Sequence, residues 1–100
     1  MNIVRYFYRR EPIAENLQRV VTVSYTHDRE TGETFYGASM FRQDEPHEQF
    51  VKSQHRHTAD QRRQKCPVKV YVAGGNWDSI EDSIRDAIRT YGVKGDRQVI

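Results

Sequence analysis

Between His47 and Val70 the chain reads HEQFVKSQHRHTADQRRQKCPVKV. This run holds three of the four histidines, the only cysteine and six Lys/Arg side chains. Three chemistries use such residues: metal ligation, nucleophilic catalysis and phosphate binding. For metal, His55 and His57 lie two apart. On a helix that separates them by roughly 200°, whereas helical zinc pairs stand four apart on one face. His47, His55 and Cys66 are spaced by eight and eleven, which no single helix face brings together. We therefore expect no metal ligands and no cofactor, and read the histidines as solvated.

For catalysis, Cys66 would need a neighbouring imidazole to make its thiolate, and His27, His47, His55 and His57 are the candidates. Cys66 lies between Lys65 and Pro67, where a small apolar filler is the commoner role. The chain has no Gly-rich phosphate loop, paired-carboxylate constellation or nucleophile elbow, so no catalytic residue is assigned. A histidine-dependent nuclease stands as one alternative, because acid–base sites assemble from distant residues.

Phosphate binding fits the spacing best. Lys52, Arg56 and Arg63 recur at four- and seven-residue steps, Arg62 and Lys65 extend the positive end, and Asp60 is the only acid between Gln49 and Lys65. A helix face with several cations can neutralise phosphates through charge-assisted hydrogen bonds and counterion release. Arg9 and Arg10 follow the aromatic run Tyr6-Phe7-Tyr8, and aromatic rings beside cations supply stacking surfaces for bases. The competing reading is a basic helix that meets carboxylates of an acidic protein with no nucleic acid involved. The loop Arg29 to Glu33 and Trp77 are further candidates for partner contacts, although Trp77 after Gly74-Gly75 also suits a staple on the following helix.

One hundred residues make one domain with a modest core. Hydrophobic residues are 36% and charged residues 30%, polar for a globular chain but too apolar for disorder. Net charge is only +2, so a polyanion argument must rest on local clustering rather than on overall charge. The clustering is there: residues 1–50 hold six Arg against eight Asp/Glu, and residues 51–100 hold ten Lys/Arg against six. A single cysteine and the lack of a long apolar run lead us to expect a reducing cytoplasm and no membrane span.

The elements that must position these residues follow from periodicity. Residues 2–10 alternate as a strand that Glu11-Pro12 should break, leaving 14–18 as a turn. RVVTVSYTH and ETFYGASMF, joined by DRETGE with Gly32 available for positive φ, read as a β-hairpin. Asp44 as cap and Pro46 in the first turn predict a helix from His47 to Lys65, ended by Pro67 and followed by the strand VKVYVAG. The spacing of Ile80, Ile84, Ala87, Ile88 and Tyr91 predicts a second helix with Asp78 as its cap and Gly92 after its end, and Val99-Ile100 could add a short strand. The expected fold is α+β, a small antiparallel sheet of about four strands with two helices in the order β-β-β-α-β-α. Both helices are expected mainly on one face, the last strand central or at an edge, and a homodimer would add core.

The stretch from Phe35 to Val70 also resembles small accessory proteins encoded by tailed bacteriophages. Tyr36, Gly37, Ala38, Asp44, Phe50, Lys52, Ala59, Arg62 and Pro67 carry the likeness, about a third of the chain, while the His55-Arg56-His57 cluster and the Cys66-Pro67 step depart from it. The resemblance implies a non-enzymatic modulator of host machinery, including antagonists of defence systems, and transfers no catalytic residue. Joined to the basic helix, it predicts a stoichiometric, antitoxin-like inhibitor of a host defence or toxin component that contacts RNA or a ribonucleoprotein in the host cytoplasm. Arg9, Arg10, Lys52, Arg56, Arg62, Arg63 and Lys65 are the expected anchors.

Overall fold

Alternation along the second and third strands dictates a sheet with two unlike faces. In β2 (Leu17–His27) Val21, Val23 and Tyr25 interleave with Thr22, Ser24 and Thr26, and in β3 (Glu33–Gln43) Tyr36, Ala38 and Met40 interleave with Gly37, Ser39 and Phe41. Successive side chains point to opposite faces, so one face is apolar and the other bears hydroxyls and a glycine. The computed structural model describes residues 3–14, 17–43 and 52–91. It contains β1 (Arg5–Ala14), β2, β3, α1 (Lys52–Lys65), β4 (Val68–Tyr71) and α2 (Trp77–Tyr91). All strand pairs are antiparallel, in the order β1-β2-β3-β4, so the α+β expectation and its element order hold and, among the described residues, β4 lies at an edge.

Rows across the sheet set what each helix meets. Tyr6, Ser24 and Gly37 form one row, and Phe7, Val23 and Ala38 form the next, on the opposite face. The apolar face packs on α2: Phe7, Val21, Val23, Tyr25, Tyr36, Ala38 and Val68 form one cluster with Ile80, Ile84 and Ala87. Tyr25 is fully buried, and its hydroxyl donates to Glu81 Oε2 at 2.8 Å. Burial, reinforced by that carboxylate, pushes the phenol up to about 12.

The hydroxyl face packs on α1. A Cβ on Gly37 would lie 2.2 Å from the Arg63 amide nitrogen and 2.5 Å from the Ala59 carbonyl oxygen. Glycine thus lets the helix backbone rest directly on β3, with fully buried Ala59 alongside. The helices therefore cover opposite faces, correcting the expectation that both lie on one. Buried hydroxyls need hydrogen-bonding partners, and a polar helix such as α1 supplies them where the apolar stripe of α2 cannot.

Two further expectations change. β1 does not stop at Pro12; it continues to Ala14, pairing Pro12 with Gln18 and Ala14 with Leu17 across a register shift. An edge strand tolerates a proline where a central one does not. The cap of α2 is Asn76, whose Oδ1 accepts from the Ser79 amide at 2.8 Å while its carbonyl accepts from Ser79 Oγ at 2.9 Å. Asp78 lies inside the first turn. Gly32 has the expected positive φ, 79°, and its amide donates to the Asp28 carbonyl at 2.7 Å. The expected roles of Asp44, Pro46, His47, Gly92, Val99 and Ile100 fall outside the described residues.

Candidate nucleic-acid interface

α1 packs on the hydroxyl face, and its cations separate into two groups by depth. Near the β1 margin, Lys52 Nζ stands 4.9 Å from the centroid of Tyr8, and the Arg56 guanidinium 5.7 Å from that of Tyr6. Both cations are exposed, as is Lys65 at the far end. Tyr6 is 37% exposed and Tyr8 half-buried, so the Arg56–Tyr6 pair presents both charge and ring surface to solvent, while Lys52 presents mainly its charge.

Arg62 and Arg63 point inward. Arg62 Nη1 donates to the Ala38 carbonyl at 2.6 Å. Arg63 Nε donates to Ser24 Oγ at 2.9 Å, and its Nη2 stands 3.6 Å from the Asp60 carboxylate. The spacing that grouped Lys52, Arg56 and Arg63 is sound: all three face the β1–β2 side. That face is turned onto the sheet, so Arg63 is covered while Lys52 and Arg56 overhang the margin.

Asp60 is the hub of this contact. Its carboxylate accepts from the Tyr6 hydroxyl at 2.8 and 3.0 Å and from Ser24 Oγ at 2.6 Å. Burial, then the bond to Asp60, raises the Tyr6 phenol above its ordinary range. Arg63 partly neutralises the carboxylate, leaving little net negative charge beside Arg56.

Of the other sequence-selected anchors, Arg10 is exposed and Arg9 half-buried. Both line an open groove of about 680 Å³ between β1 and α2, together with Tyr8, Asp82, Arg85, Asp86 and Arg89. Arg85 and Arg89 were not singled out by sequence. Their signal was a pair of arginines four apart, beside core positions Ile84 and Ile88, but nothing in the linear order places them next to β1. In α2, Arg85 bonds Asp82, Arg89 stands 3.4 Å from Asp86, and the Arg85 guanidinium lies 5.0 Å from the Phe7 centroid.

The histidines are divided by burial. His55 Nδ1 is 2.7 Å from Ser39 Oγ, its ring is 5.2 Å from Phe41, and burial lowers its pKa. The distance is that of a nucleophile and its base, but Ser39 is only 4% exposed beneath α1. This pair therefore ties helix to strand. His57 is exposed, as is Cys66, whose amide donates to the Arg62 carbonyl. Among the described residues no group of His, Cys, Asp and Glu could hold a metal ion. On the other face, His27 Nδ1 lies 2.7 Å from Thr34 Oγ1, and the Arg5 and Arg29 guanidiniums lie over Trp77 at 4.1 and 4.9 Å.

No family model, curated protein or solved structure matches this chain. No helix among the described residues is long and apolar enough to cross a membrane.

Proposed function

We propose that this protein works by stoichiometric binding, contacting RNA or a ribonucleoprotein through the β1 margin. The observation that carries this reading is the pair of exposed cations stacked on strand tyrosines, Lys52 over Tyr8 and Arg56 over Tyr6, beside Arg9 and Arg10. Cations bind phosphates without reading sequence, and rings and guanidinium planes stack with any base. Lys65 belongs to the same exposed helix but lies farther along it. Arg62 and Arg63 serve the reading indirectly, by holding α1 in place. The likeness of residues 35–70 to phage accessory proteins suggests the class of target, a host defence or toxin component in the cytoplasm.

The test is an anisotropy titration with single-stranded RNA at several salt concentrations. Lys52→Ala with Arg56→Ala should weaken binding and reduce the salt slope by about 0.7 for each phosphate that is no longer neutralised. Arg63→Ala should lower stability instead, because it strips Ser24 and Asp60 of a partner. An unchanged slope in the Lys52/Arg56 variant overturns the reading. Binding of a host protein that persists undiminished after nuclease digestion would favour an acidic-protein partner instead, and turnover of RNA lost in a His55→Ala, His57→Ala variant would favour a nuclease.

A further inference from the structure

The cations of the β1 margin do not stop at the α1 side. β1 is, among the described residues, an edge strand of the sheet, and its side chains alternate between the two helices. By alternation Tyr6, Tyr8 and Arg10 belong to the α1 face and Arg5, Phe7 and Arg9 to the α2 face, while Tyr8 and Arg10 also reach the groove beside α2. α2 runs alongside the strand in the same direction, with Trp77 beside Arg5, Arg85 over Phe7, and Arg89 at the groove with Arg9 and Arg10. Arginines of α2 thus continue, on the other side of the strand, the row that Lys52 and Arg56 begin.

We infer that the groove between β1 and α2 is a second phosphate-binding site, and that the ligand is a single strand of RNA whose backbone passes over the edge of β1 from Lys52 and Arg56 to Arg85 and Arg89. This rests on the RNA-binding reading above and assigns it a substrate class. A backbone using both rows must bend around one strand, which a flexible single strand does and a stiff double helix, whose persistence length in DNA is about 150 base pairs, does not. At about 680 Å³ the groove falls within the roughly 300–1,000 Å³ of clefts that take small organic groups, so it has room for a sugar-phosphate unit.

Asp82 and Asp86 now hold Arg85 and Arg89 as exposed pairs three residues apart in α2. Such pairs are weak, and a phosphate entering the groove competes with these carboxylates for the guanidiniums. The two aspartates therefore oppose binding, and neutralising them strengthens it.

The experiment compares the full chain with Arg85→Gln/Arg89→Gln and Asp82→Asn/Asp86→Asn variants on oligouridines of about 4 and about 12 nucleotides, the span of short and long sites in comparable grooves. Circular dichroism and urea unfolding would confirm the fold of each. The arginine variant should lose on the order of tenfold in affinity for the long RNA and little for the short one, with a shallower salt slope on the long RNA. The aspartate variant should bind the long RNA more tightly, a gain that a damaged fold would not produce. A blunt RNA duplex should bind more weakly and be indifferent to the arginine changes. Wild-type affinity in both α2 variants, with the Lys52/Arg56 variant impaired, overturns the second site alone. Equal losses at both lengths in the arginine variant, or no gain from the aspartate variant, overturns it too. Failure of the wild-type protein to bind any RNA overturns both readings.

Discussion

Gly37 and Asp60 together determine where α1 sits. At Gly37 the obstacle to any side chain is backbone, the Arg63 nitrogen at 2.2 Å and the Ala59 carbonyl at 2.5 Å, and helix backbone cannot swing aside as a side-chain end can. Gly37→Ala should therefore cost at least about 1–3 kcal/mol, the usual penalty of overpacking, as α1 lifts from β3. Asp60→Ala leaves Ser24, a fully buried residue, without an acceptor, and Tyr6 loses its phenol partner; a loss of about 1–3 kcal/mol follows. Urea unfolding checks both variants. A change below about 0.5 kcal/mol, the range of ordinary surface substitutions, would show that α1 does not bear on the sheet at these points. Asp60 was visible in the sequence only as the one acid in a basic run. Its role needed Tyr6 and Ser24, which lie 54 and 36 residues away.

At the scale of elements, legibility followed the strength of the local pattern. β2 and β3 were readable because side-chain character alternates along nine-residue stretches, and α2 because apolar residues recur at helical steps from Ile80 to Tyr91. The paired Pro12 was not, since its tolerance depends on β1 lying at the sheet edge, a tertiary fact. The placement of α1 was also hidden: its single buried residue, Ala59, gives no stripe to orient it, and the polar groups it joins come from three different strands. The cap of α2 illustrates a near miss. Asp78 with Glu81 has the spacing of a capping box, but Asn76 two residues earlier holds the Ser79 amide. Asn76→Ala should therefore lower stability by about 1 kcal/mol, typical of a lost cap, whereas Asp78→Ala should forfeit only its weak interaction with the helix dipole. Thermal melts of the two variants decide it, and a larger effect at Asp78 would reinstate the box. The same edge position bears on self-association. Pairing β1 with its copy about a two-fold axis would crowd Arg5, Arg9 and Arg10 of both chains along one junction, and like charges on neighbouring strands are unfavourable.

The described residues form a sheet between two unlike layers, an apolar one under α2 and a hydrogen-bonded one under α1, and in each layer burial disfavours the charged form of one histidine. Under α2, His27 is 5% exposed and its Nε2 is buried without a hydrogen-bond partner. Burial, then the nearby Arg29, lowers its pKa below the ordinary 6.5, against a smaller opposing pull from Asp28. Under α1, burial lowers His55 from the same starting value. Unfolding exposes both rings, which then titrate near 6.5. Below that pH the unfolded chain binds protons that the folded chain refuses, so stability must fall. The contribution is complete above about pH 6.5 and is lost as pH drops towards the depressed folded-state values, with a slope of at most about 1.4 kcal/mol per pH unit for each histidine. Free Asp and Glu side chains titrate mainly below about pH 5, which leaves the interval between pH 7 and pH 5 to the histidines. Urea midpoints should therefore decline across that interval, and His27→Gln or His55→Gln should each flatten the decline while lowering stability at pH 7. A flat profile in the wild-type protein would mean that neither ring is held neutral, and that neither layer excludes the proton.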